Sequence, residues 1–136
     1  MVKTAEHFFD LKEEPPIPKK PTNLSIREFT KAVTVDGEFY CRADLKSPDE
    51  GYIGVPGRNI ALWVRPPGEV ERVVRRHYTG PDGTVEFRHI FESAWYDPGR
   101  YRFWLEFTGD DEYEGCKEEI KGAVIEGSIL AGLSWG

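Results

Sequence analysis

The sequence predicts an all-β fold, a sandwich of about seven short strands. Three observations carry the prediction. Apolar residues recur at every second position through much of the chain, clusters of Gly, Pro and Asp separate these stretches, and a helical period is almost absent. With 136 residues, the chain matches one domain of roughly 100–150 residues. That length can bury a core without disulfide staples.

Strand signals begin at Asn23, where Leu24 and Ile26 alternate with polar residues, and continue with Val33 and Val35. Asp36-Gly37 gives a turn. Phe39, Cys41, Ala43 and Leu45 then share one face of a strand, with Tyr40, Arg42 and Asp44 on the other. Ser47 to Gly57 is rich in Pro, Asp and Gly and reads as a loop. Ile60, Leu62 and Val64 form the next inward set, closed by Pro66-Pro67-Gly68.

Val70 to Tyr78 is β-branched and basic. This is the composition of an edge strand, with Arg72, Arg75 and Arg76 guarding it against unwanted pairing. Gly80-Pro81-Asp82-Gly83 is a strong turn before Val85 and Phe87. In the next strand Tyr101, Phe103, Leu105 and Phe107 alternate cleanly, and Lys117 to Ile125 supplies a last strand.

The two ends differ from this pattern. Residues 1–21 divide into a short amphipathic stretch, Thr4 to Lys12 with Phe8, Phe9 and Leu11, and a linker in which Pro15, Pro16, Pro18 and Pro21 forbid helix. They are expected to form a surface arm. The strand pattern spans 22–125, and residues 126–136 are an apolar tail carrying Leu130, Leu133 and Trp135.

Composition excludes several functions. A net charge of −6 argues against nucleic-acid binding, which needs clustered surplus Lys and Arg to displace counterions from phosphates. No segment approaches the roughly 20 apolar residues of a membrane-spanning helix, so no membrane insertion is expected. Met1 to Phe9 lacks the apolar run of a signal peptide.

Several short motifs stand in a fixed order: Pro21-Thr22-Asn23-Leu24, Val35-Asp36-Gly37, Asp82-Gly83-Thr84-Val85-Glu86-Phe87, Pro98-Gly99-Arg100-Tyr101 and Gly109-Asp110-Asp111-Glu112-Tyr113. In this order and spacing, roughly residues 21–125 resemble the bacterial and archaeal immunoglobulin-like repeats of surface and adhesion proteins. The resemblance implies an immunoglobulin-like β-sandwich of about seven strands, no cofactor, and an extracellular or cell-surface setting. It is nearly silent on ligand. Two departures stand out: such modules usually occur in tandem within long secreted chains, whereas this chain opens on its own Met1, and Cys116 replaces a small polar residue beside the last turn. Cys41 and Cys116 cannot be placed from sequence within the roughly 4.4–6.8 Å Cα separation of a disulfide. Free thiols are the preferred reading.

For catalysis the chain offers little, and no catalytic residue is assigned. His7, His77 and His89 are scattered, and no nucleophile elbow, H-E-x-x-H or phosphate loop occurs. Cys41 with His89 has the chemistry of a nucleophile and base, but a packing cysteine beside an ordinary strand histidine is the simpler account. The acidic run Asp110, Asp111, Glu112 and Glu114, with Glu118 and Glu119 beyond it, lacks the loop pattern that cages calcium. It reads as a solvated turn, and no metal ligand is assigned.

The sharpest functional expectation concerns the outward positions. If Ile60, Leu62 and Val64 face the core, Trp63 and Arg65 face out; if Tyr101, Phe103 and Leu105 face the core, Arg102 and Trp104 face out. In an immunoglobulin-like topology these strands are neighbours, which sets Trp63 beside Trp104 with Arg65 and Arg102 flanking. Exposed paired tryptophans call for a cover. Three covers are open: the chain's own tail or arm, another protein subunit, or a carbohydrate stacked on the indoles. Trp and Arg are enriched in protein interfaces.

The basic strand at Arg72–His77 and the acidic stretch Asp110–Glu119 also suit head-to-tail association. The expectation is therefore a non-catalytic structural or adhesion module. It would work through a protein partner or self-association in a surface, filament or virion assembly. Its contacts would be Trp63, Trp104, Arg65, Arg102, Leu130, Leu133 and Trp135. A carbohydrate-binding module using the same tryptophans is the alternative.

Overall fold

The computed structural model describes residues 18–121 and 123–127. Phe8 and Phe9 of the arm and Leu130, Leu133 and Trp135 of the tail lie outside the described residues. The strands are β1 (Asn23–Phe29), β2 (Ala32–Thr34), β3 (Glu38–Ser47), β4 (Ile53–Gly54), β5 (Asn59–Arg65), β6 (Arg72–Tyr78), β7 (Thr84–Ile90), β8 (Arg102–Gly109), β9 (Glu114–Ile120) and β10 (Val124–Glu126). A 3-10 turn at Pro48–Glu50 interrupts the loop after β3. The short strands β2, β4 and β10 are additions to seven longer ones, and the whole is an immunoglobulin-like β-sandwich.

One sheet sets β3 between β1 and β7, with β4 added at the end of β3. The other has the order β6-β5-β8-β9, antiparallel throughout. Strict alternation explains the packing between them. Phe39, Cys41, Ala43 and Leu45 of β3 are fully buried, as are Ile60, Leu62 and Val64 of β5 and Phe103 and Leu105 of β8. Each large apolar side chain removed from water contributes about 1.5–3 kcal/mol. At the centre the rings of Phe39 and Phe103 stack across the sandwich, centroids 5.2 Å apart and planes 10° from parallel. Phe91 meets both of them edge-on.

Tyr101 leads into β8 and donates its hydroxyl to the carbonyl oxygen of Asp97 at 2.6 Å. This is a tyrosine corner, the device that pins the connection between sheets in this fold. The turn at Asp82-Gly83 needs its glycine. Gly83 has φ +81°, and a Cβ there would lie 2.6 Å from the carbonyl oxygen of Leu45.

Several boundaries differ from the sequence reading. The expected last strand, Lys117–Ile125, is two strands: β9 belongs to the four-stranded sheet, while β10 pairs in parallel with β2 and bridges Gly99. Glu126 is part of β10, and its carbonyl accepts from the Val35 amide at 2.9 Å. Lys20, counted with the arm, is held by main-chain bonds to Glu112 and Glu114. The edge strand starts at Arg72, and Val70 before it is exposed. Both cysteines are free; Cys41 is buried on β3, and Cys116 on β9 accepts from the Thr22 hydroxyl at 3.3 Å.

Candidate interaction surface

The four-stranded sheet turns one face to the core and one away from it. Trp63 of β5 stands directly opposite Trp104 of β8, and Arg65 opposite Arg102. The indoles are stacked, with centroids 5.9 Å apart and planes 4° from parallel. This geometry follows from cross-strand pairing, since opposed residues on one face have Cβ atoms only about 4.5–5.5 Å apart. The structure therefore unites all four sheet residues singled out from the sequence.

The tryptophans are half-buried rather than fully exposed, because they cover one another. The guanidinium of Arg102 lies 5.8 Å from the Trp104 ring centroid, which puts a cation beside an indole that also stacks on Trp63. The buried Nε1 of Trp63 has no hydrogen-bond partner among the described residues, and an unmet buried donor costs about 1–3 kcal/mol.

Arg65 and Arg102 are like charges placed directly across a ladder, an arrangement that destabilises a sheet. Arg102 is offset by Glu119 at 3.2 Å. Among the described residues Arg65 reaches only the carbonyl oxygen of Glu69, at 3.3 Å. Beside the tryptophans lies an open depression of about 300 Å³, lined by Arg65, Glu71, Arg102, Trp104, Lys117 and Glu119. An apolar platform within a ring of alternating charge can recognise a surface that offers an apolar anchor, carboxylates and a hydrogen-bond acceptor.

A second region was not legible from spacing. Arg75 on β6 donates to Nδ1 of His89 on β7 at 3.2 Å, and Arg72 stacks on the Tyr96 ring at 4.7 Å. Burial, then the nearby Arg75 cation, lowers the His89 pKa. Trp95, 74% exposed, stands on the β7–β8 connection beside these groups. The basic composition of β6 pointed to its arginines, whereas an aromatic in the irregular stretch Glu92–Asp97 has no period to reveal it.

The other candidates resolve into packing and ion pairs. Cys41 lies opposite Phe87, whereas His89 lies opposite Phe39, so the two are not ladder partners. Burial pushes the Cys41 thiol up to about 12, which leaves it protonated at neutral pH and unsuited to nucleophilic attack. In the acidic turn, Arg58 reaches Asp110 at 3.2 Å and Glu112 at 2.9 Å, and Lys20 reaches Glu112 at 3.6 Å. The Oδ1 of Asp110 also accepts the amides of Glu112 and Tyr113 at 2.8 Å each. Protein cations and amides thus already hold these carboxylates. Arg58 and Lys20 also flank the Tyr113 ring, whose hydroxyl donates to Glu50 at 2.7 Å.

No protein-family model matches the chain, and no curated protein matches it. Among solved structures it is similar to part of a β-glucosidase from Listeria innocua. The TM-score is 0.54 at 14% identity, and the match covers 80% of this chain and 16% of that one. The same enzyme in complex with glucose gives a TM-score of 0.53 at 15% identity, with the same coverage. The likeness spans a small part of a much longer enzyme, and at this identity it concerns the fold.

Proposed function

We propose that this chain is a non-catalytic β-sandwich module that acts by protein–protein association within a surface, filament or virion assembly. The contact surface is the outer face of the β6-β5-β8-β9 sheet. One observation carries the reading: a stacked Trp63–Trp104 pair flanked by two opposed arginines, with the Trp63 donor unmet among the described residues. Folding alone calls for neither the arginine pair nor the unmet donor. A partner presenting carboxylates and a main-chain carbonyl relieves both, and aromatic and Arg anchors are the groups that dominate interfaces.

The resemblance to immunoglobulin-like repeats of surface and adhesion proteins supports the class. The apolar tail, with Leu130, Leu133 and Trp135, supplies a segment suited to docking on a neighbour's sheet or edge.

Light scattering after size exclusion tests this on three proteins: the full chain, its Trp104→Ala variant, and a chain ending at Gly127, which keeps β10 whole. The full chain is expected to be an oligomer, with mass lost in both altered proteins. A Trp104→Ala protein with unchanged mass and unchanged partner binding would sink the proposal.

Carbohydrate binding is the second reading, favoured by indoles beside charged groups that can hold hydroxyls. It is weakened because the Trp104 ring already stacks on Trp63 and has the Arg102 guanidinium beside it. Quenching of tryptophan fluorescence by gluco-oligosaccharides, with no change in mass, would select it over association.

A further inference from the structure

The two edges of the four-stranded sheet carry opposite charge. On β6, Arg72, Arg75 and Arg76 have no carboxylate within ion-pair distance among the described residues. On β9, Glu114, Glu118 and Glu119 are exposed, with Lys117 the cation among them. Among the described residues the outer side of β6 has no ladder partner, and that of β9 is bonded at Glu114 to Lys20 and Thr22, which leaves its stretch toward Ile120 without one.

Strand direction adds a second, independent constraint. Each neighbouring pair in the order β6-β5-β8-β9 is antiparallel, so β9 runs opposite to β6. A second copy displaced along the sheet, without rotation, brings its β9 antiparallel to β6 of the first and continues the alternation.

Side-chain faces agree as well. Arg72 and Arg75 lie opposite Val64 and Leu62, and Glu118 lies opposite Leu105, so all three belong to the core-side face. Arg76 and Glu119 lie opposite Ala61 and Trp104, on the outer face. Each face of such a joint sets arginine near glutamate.

We infer that β6 and β9 form a heterologous joint between copies of this chain, which add head to tail through a continuous antiparallel sheet. The joint goes beyond the tryptophan-face reading and does not require it. Like-charge repulsion excludes the two-fold alternatives, β6 on β6 and β9 on β9. The arginines and the irregularity opposite Leu62/Trp63 are devices that protect an edge from its own kind, and the arginines attract an acidic edge. A heterologous contact that does not close produces open rows, and here it lines the Trp63–Trp104 faces of successive copies along one side.

Charge reversal with mixing tests the joint. One full-chain protein carries Arg75→Glu and Arg76→Glu, giving two acidic edges. A second carries Glu118→Lys and Glu119→Lys, giving two basic edges. All proteins, including the parent, also carry Trp104→Ala, so that the tryptophan-face reading and the joint fail separately. Sedimentation velocity at low salt is expected to show the parent elongating, each reversed protein staying monomeric, and their equimolar mixture elongating in alternation. The mixture's weight-average mass should reach at least about twice the monomer's and fall back near 1 M salt, where screening shortens to about 3 Å. A monomeric parent, or reversed proteins that associate alone as the parent does, overturns the inference. So does a folded mixture that stays monomeric, with folding checked by circular dichroism.

Discussion

Two aromatic pairs have nearly the same geometry and opposite surroundings. Phe39 and Phe103 stack at 5.2 Å between the sheets, whereas Trp63 and Trp104 stack at 5.9 Å along one sheet. Phe103 and Trp104 are consecutive residues of β8, so one step along a strand passes from the interior to the outer face. The inner pair is closed on every side by apolar neighbours. The outer pair is bordered by Arg102, Arg65 and an open depression. Stacking alone therefore assigns neither role; what lies around each pair decides.

Breaking the inner pair should have the larger effect. Phe103→Ala is expected to cost about 3–5 kcal/mol, the range for emptying a well-packed aromatic site. Urea unfolding reads this as a fall in midpoint, and a loss below about 1 kcal/mol would mean that the stack does not tie the sheets together. Trp104→Ala should lose less stability, about 0.5–1.5 kcal/mol for the stacked pair beyond any lost area, while removing the association made through the tryptophan face. Equal losses in the two variants would erase the distinction between the regions.

The smallest effect sharpens the boundary between inside and edge. Cys41 is fully buried with its thiol pushed up to about 12, whereas Cys116 on β9 is half-buried and its thiol is raised, chiefly by burial. Alkylation at mild alkaline pH, followed by mass mapping, should modify Cys116 while sparing Cys41 until denaturant is added. Equal labelling of both would show that the interior opens far more easily than its packing indicates.

Much of the sandwich was legible because its long strands declare themselves by period. Phe39 to Leu45 and Phe103 to Phe107 alternate over enough residues to set one face inward; the same parity turned Trp63 and Trp104 outward, and the strand adjacency implied by the immunoglobulin-like resemblance set them side by side. The short strands were not legible. β2 and β10 have three residues each, too few to establish a period, and their parallel pairing depends on distant parts of the chain. The contact from Tyr101 back to Asp97, only four residues away, did not follow from the Pro98-Gly99-Arg100-Tyr101 turn signal either, because it depends on where the tyrosine ring is packed. Mutual cover also escaped the sequence reading. Facing outward was legible, but how far a stacked neighbour shields an indole depends on rotamer and register.

The pairing of β10 with β2 also sets a schedule for synthesis. β1, β2 and β3 leave the ribosome first, yet β2 finds its partner only when Val124–Glu126 have emerged. Until then an early edge stays unpaired while nearly the whole domain is being made. The closing contact spans almost the full length of the sandwich, a topology associated with slow folding. A nascent chain stalled before Val124 should hold an unfinished sandwich that becomes resistant to protease once translation resumes.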